Sequence, residues 1–199
     1  CSAAFVFECS KGRGRLFGSF PDHTIKACAY RGELLGLLAI HLILQAVNKV
    51  RPDLEGSVHI YSDCLGALRS VVSLPSDRIP SNTPHSDILK MIMIHCSDYT
   101  FLRRFSHVSA HQLDHLTWQQ LTRAEQLNEF CDGQAKQEIW SHDASLAPVE
   151  TSFPLEPLTI HVDGEKMTSG SGDLLQYHAA RAQAKIYFTT AQTKKSEAL

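Results

Sequence analysis

No two cysteines in this chain are spaced as C-x-x-C, so neither a zinc ribbon nor a zinc finger is expected. The six cysteines stand at 1, 9, 28, 64, 96 and 131, and no secretory signal accompanies them. They read as the reduced thiols of an intracellular protein. Long apolar runs are missing too. The longest, Leu34 to Leu44, is short and interrupted by His41, so no membrane association is expected. There is no excess of basic charge: the formal net charge is -2, which confines any nucleic-acid contact to a local patch. Internal repeats and low-complexity tracts are absent. What is present is ordinary for a folded protein. A length of 199 residues with 43% hydrophobic and 20% charged residues suits one domain, with or without an appendage. Such a chain buries a core without disulfide staples. It begins on Cys1 rather than methionine and enters an apolar segment at once, so we read it as a piece of a longer polypeptide.

The apolar and turn patterns give an element order. Ala3 to Cys9 reads as a strand, and the cation- and glycine-bearing turn Lys11 to Arg15 should fold the next strand, LFGSF, back on it. Tyr30 to Asn48 reads as a helix, with Glu33, Leu37, Ile40, Leu44 and Val47 on one face. SVHIYS is a strand and CLGALRSVV a helix. A proline-rich loop follows, and Thr83-Pro84 looks like the cap and first position of a helix running to about Cys96. Ile88, Met91, Ile92 and His95 face inward on that helix. The stretch from Tyr99 to Val108 is another strand, and 111 to 121 is loop. Thr122-x-x-Glu125 is a capping box that opens a helix to about Trp140. Gly133 inside it costs roughly 1 kcal/mol against alanine, which suggests a close approach nearby. Beyond a linker at 143–156, residues 157–199 form an appendage: a hairpin turning at Asp163-Gly164, then a helix from Asp173. The fold class is α/β, with a mixed sheet flanked by helices over 1–142.

Three acids stand out by position: Glu33 early in the long helix, Asp63 at a strand's carboxyl end, and Asp132 in the last helix of the body. Each has a plain reading. Glu33 complements the helix dipole and Asp63 caps the next helix. Together they suggest carboxylates from distant segments gathered on hard cations, for which Mg²⁺ is the natural ion. Two such ions about 4 Å apart would stabilise the attacking water and the leaving oxygen of a phosphodiester.

The segments around these acids carry a resemblance. AYRGELLGLLAI resembles the helix of type 1 ribonuclease H that supplies its glutamate, and IYSDCLGAL resembles that family's strand-end aspartate segment. VSAH, followed by NEFCDGQAK, is similar to its loop histidine and its N-E-x-x-D helix. The order is the family's over about residues 1 to 140, and the divergence and tail look like the domains found in retroelement reverse transcriptases. The resemblance implies that Glu33, Asp63 and Asp132 are metal ligands for Mg²⁺ or Mn²⁺. His111 would assist product release or shuttle a proton, and Asn128 would brace the loop. The reaction implied is hydrolysis of the RNA strand of an RNA–DNA hybrid, within a larger polyprotein. RNA would be told from DNA through its 2′-hydroxyls. Lys11, Arg13, Arg15, Arg31 and Arg69 are candidate phosphate contacts.

The chain also departs from the family. The spacing from His111 to Asn128 is long, which implies an inserted loop. His111 and His115 share H-x-x-x-H spacing, but without the H-E-x-x-H pattern a zinc site is disfavoured. The family's first strand carries a fourth carboxylate, an aspartate. Here AAFVFEC aligns with the second strand and RLFGSF with the third, so that strand and its aspartate are expected to be missing and the fragment weak or inactive. Asp163, in a permuted arrangement, is the alternative source, and Glu8 a poor one. Two other readings stay open: a non-catalytic binding module of the same fold, and an integrase- or transposase-like relative.

Overall fold

β1 (Ser2–Glu8) and β2 (Arg15–Pro21) pair antiparallel along their whole length, from Ser2 opposite Pro21 to Glu8 opposite Arg15. This is the hairpin expected of the turn between them. In this computed structural model, residues 1–9, 14–22, 27–74, 78–80, 82–141, 161–162, 165–170, 176–177 and 179–181 are described. Lys11, Arg13, Asp163, the linker 143–156 and most of the helix expected from Asp173 lie outside them.

Alternation along β1 gives the hairpin two covered faces. Ala3 joins the main core beside Leu34, Leu37 and Leu38 of α1 (Ala29–Val50), and Phe7 packs on a smaller cluster of Leu44, Tyr99 and Phe101. On the other face the Ser2 hydroxyl donates to the Ala135 carbonyl, 2.6 Å away in α4 (Arg123–Ser141). Glu8, also on that face, accepts from Arg123. The hairpin therefore sits between two helices. α1 runs close under it because Gly32 and Gly36 carry no side chain. A Cβ at Gly32 would lie 2.8 Å from the Ser2 carbonyl oxygen, and one at Gly36 3.0 Å from that of Ala4.

α1 buries a broader stripe than the sequence suggested. Leu37 and Leu44 are buried as expected, but so are Leu34, Leu38, His41 and Gln45, while Ile40 and Val47 are only partly covered. By length and composition the whole of α1 is apolar enough to cross a membrane, which the shorter run considered above is not. Its packing against β1 and α3 (Ser86–Cys96) accounts for that apolarity here.

β3 (Ser57–Ser62) and β4 (Leu102–His107) pair parallel, Ser57 opposite Leu102 through Ser62 opposite His107. α2 (Leu65–Val72) and α3 make the crossover between them, and Ile88, Met91 and Ile92 fill the core as expected. α3 does not start at Thr83-Pro84. It starts after His85, whose φ of 53° is left-handed. The shift sets Asp87 in the first turn, where it meets Arg31.

Arg31 corrects an expectation. Read in the sequence as a phosphate contact, it is 0% exposed and locked between two carboxylates. Its Nε donates to Asp22 at 2.8 Å, and its two terminal nitrogens donate to Asp87 at 3.0 and 2.8 Å. Planar, bidentate pairing of this kind is how a buried guanidinium is satisfied. No face of it is left for a nucleic acid.

The appended hairpin forms: β5 (His161–Val162) pairs antiparallel with β6 (Glu165–Lys166). Its return strand docks on the body. Lys166 and Thr168 are buried, the Lys166 ammonium lies 3.7 Å from Asp87, and the Thr168 carbonyl accepts from the Ser86 hydroxyl and the Asp87 amide. Among the described residues β5 pairs only with β6; Asp163, on which the permuted arrangement depends, lies outside them.

The mixed α/β class is as expected; a continuous sheet is not. Among the described residues β1 pairs only with β2, and β3 only with β4. Their unpaired edges face a shared cleft of about 740 Å³. Helix α1 lines it with Leu37 and Ile40, and α4 with Leu127 and Cys131. The two edges run in opposite directions. Gly32 lies at Ser2 and Glu33 at Ser62, so the start of β1 and the end of β3 meet at one end of the cleft. Phe7 and Val58 share the Leu44 cluster at the other.

Candidate functional site

Glu33, Asp63 and Asp132 come from α1, from the residue after β3, and from α4, and all three are part-buried near one end of the cleft. Glu33 sits past the first turn of its helix, so the dipole reading does not apply. Its carboxylate accepts from the Ser62 hydroxyl at 3.0 Å. Burial pushes Glu33 up to about 7, and the charges of Asp63 and Asp132 add to this against the Ser62 hydrogen bond. Asp132 is raised as well, by burial first and then by Asp63, with Lys136 and His111 pulling the other way. Glu33 thus feels the charges of Asp63 and Asp132, and Asp132 that of Asp63.

Asp63 is not a helix cap. The cap position of α2 is Cys64, whose amide donates to the Ser62 hydroxyl at 3.0 Å. The Asp63 carboxylate instead accepts from the Asn128 side chain at 3.2 Å. Asn128 and Asp132 share a face of α4, so one helix supplies an acid and a brace for another acid. The capping box that starts α4 forms as read: the Thr122 amide donates to Glu125 at 2.7 Å, and the Glu125 amide to the Thr122 hydroxyl at 3.4 Å.

His111 is exposed, with a left-handed φ of 52°, and lies close enough to Asp132 to lower its pKa. His115 is exposed too. Arg15 is exposed but engaged, with its Nε 3.0 Å from Glu8. Arg123 and Arg15 together hold Glu8 down to about 2. Arg69 is exposed on α2. Gly133 makes no close approach, since a Cβ there would meet nothing within 4 Å.

Three neighbours were not singled out in the sequence. Ser62 holds Glu33; its inward direction was legible, because it alternates with Ile60, buried on the same strand. His107 Nε2 lies 2.9 Å from the Asp63 carbonyl oxygen. Cys131 is pushed up to about 12 by burial and by the acids around it, which makes it an inert thiol at neutral pH. Among the described residues, no three His, Cys, Asp or Glu side chains stand close enough to hold a metal ion as they are placed. Hard oxygen donors that repel one another still suit a divalent cation.

Comparison with protein-family models, with curated proteins and with solved structures finds no match to this chain.

Proposed function

We propose that this chain carries three carboxylates of a ribonuclease H type site, of the kind in retroelement reverse transcriptases, acting on the RNA strand of an RNA–DNA hybrid. The observation that carries the reading is that three acids from separate elements gather near one end of the cleft, where Ser62 bonds Glu33 and Asn128, one turn from Asp132, bonds Asp63. Carboxylates that raise one another's affinity for protons are found where a cation or a proton is to be held. Glu33, Asp63 and Asp132 would hold Mg²⁺ or Mn²⁺, which supplies Lewis acidity and an activated water. Asn128 fixes the orientation of Asp63, and Ser62 that of Glu33. His111, exposed and near Asp132, moves a proton to or from the product. The cleavage is weak, because the fourth carboxylate that the resemblance implies is not among these residues.

The test is cleavage of a labelled hybrid with Mg²⁺ or Mn²⁺. Slow, metal-dependent cutting of the RNA strand that disappears in Asp63→Asn is expected. No cutting, together with no rise in melting temperature on adding either ion, would sink the reading. The open spacing of the acids favours a second reading, a non-catalytic hybrid-binding module. Its signature is metal-independent binding that Glu33→Gln leaves unchanged.

A further inference from the structure

We infer that Ser106 is a nucleophile served by His59 and Tyr61, and that the three form a hydrolytic site for esters whose acyl group ends in a carboxylate. The inference stands on the outward face of the β3–β4 pair and does not need the ribonuclease reading.

Strand alternation builds the group. Ile60 and Ser62 of β3 point into the protein and are buried, which turns His59 and Tyr61 outward, where both are exposed. In the parallel register His59 stands opposite Arg104 and Tyr61 opposite Ser106. His59 therefore reaches Ser106 on the diagonal, and its Nε2 lies 2.8 Å from the Ser106 hydroxyl oxygen. Its Nδ1 lies 3.0 Å from the Tyr61 hydroxyl oxygen. The two rings stack, with centroids 4.2 Å apart and planes 25° from parallel. A hydroxyl within hydrogen-bond reach of a base, with the base held in turn by a third group, is the arrangement of an activated nucleophile.

With its proton on Nδ1, the His59 ring donates to the Tyr61 oxygen and accepts from the Ser106 hydroxyl through Nε2. As Ser106 Oγ bonds to the acyl carbon of an ester, its proton passes to Nε2. The imidazolium so formed rests on the electron-rich face of Tyr61. The bond from the acyl carbon to the alcohol oxygen then breaks, and Nε2 returns the proton to that oxygen. Water repeats the sequence and releases the acid, leaving Ser106 and a neutral His59 as they began. Arg104 selects the acyl group. It stands two residues before Ser106 on the same face of β4, about 6.6 Å along the strand. A short chain of methylenes between an ester carbonyl and a terminal carboxylate spans that reach. Arg104 is exposed, and among the described residues no carboxylate pairs with it. A carboxylate bound there also offsets the repulsion between Arg104 and the imidazolium beside it.

The test uses the chain as it is and a serine-directed fluorophosphonate, with fluoride as the leaving group and the labelled residue read by peptide mass spectrometry. Ser106 should label at least about tenfold faster than in the same chain unfolded in urea, and His59→Gln should lose that advantage. Tyr61→Phe keeps the stacked ring and loses the oxygen. Its limiting labelling rate should fall with the half-saturating concentration unchanged, as for a positioning residue. Turnover is read with two 4-nitrophenyl esters of similar length, the glutarate monoester and the valerate, after subtracting the Ser106→Ala background that the free thiols supply. The glutarate should be preferred at least about fivefold, and Arg104→Gln should erase the preference. Thermal melts of these variants should match the parent, since the side chains face outward. Label on Tyr61 or on no residue overturns the proposal, and so do equal rates in the parent and His59→Gln. Equal turnover of the two esters overturns the substrate assigned.

Discussion

Glu33, pushed up to about 7, makes the site's acidity a property of the fold. Between the unfolded carboxyl value of about 4.5 and 7, the folded state keeps a proton that the unfolded state has lost. The stability linked to Glu33 is therefore fully present below about 4.5 and is lost as pH rises through 7. His41 works in the other direction. Burial lowers it to about 4, so its contribution is present above about 6.5 and is lost as pH falls through 4. Glu33→Gln should flatten the alkaline slope alone, gaining about 2–3 kcal/mol over the parent at pH 8, read from urea midpoints between pH 4 and pH 8. The gain would mark Glu33 as kept against stability, as functional groups commonly are. Much of this site was legible in the sequence. Asp63 followed a strand directly, and Asn128 and Asp132 stood one helical turn apart. Arg31 misled because a lone cation carries no mark of its partners. Asp22 stands 9 residues from it and Asp87 56, beyond any helical spacing, and both meet it only through the fold.

Two glycines test the packing of elements in opposite directions. Gly32→Ala drives a Cβ to 2.8 Å from the Ser2 carbonyl oxygen, backbone against backbone, so α1 and β1 must separate. A loss of about 1–3 kcal/mol is expected despite better helix propensity. Gly133→Ala meets nothing and should gain up to about 1 kcal/mol. Thermal melts of the two variants should move oppositely. Asp87 joins α1, α3 and β6: it pairs Arg31 twice, and Lys166 lies 3.7 Å away. Asp87→Ala leaves two buried cations short of a partner and should cost about 3–5 kcal/mol in urea unfolding. The parent should also protect 165–170 from proteolysis better than the variant does. Strand and helix periodicities were read correctly over most of the body. The start of α3 was misplaced because the local Thr83-Pro84 signal lost to the tertiary demand for Asp87 at Arg31. The split between the strand pairs was invisible, since a sequence shows which segments are strands and not which edges stay unpaired.

On the scale of the molecule, the separation of the strand pairs bears on how the chain melts. β1–β2 closes over a short turn, whereas β3–β4 must close around α2 and α3. Among the described residues no strand bond crosses the cleft, and the two pairs are tied through α1 and α4 by packing and by bonds such as Ser2 to Ala135 and Ser62 to Glu33. Calorimetry should then resolve two transitions, the hairpin and α4 released before the remaining core.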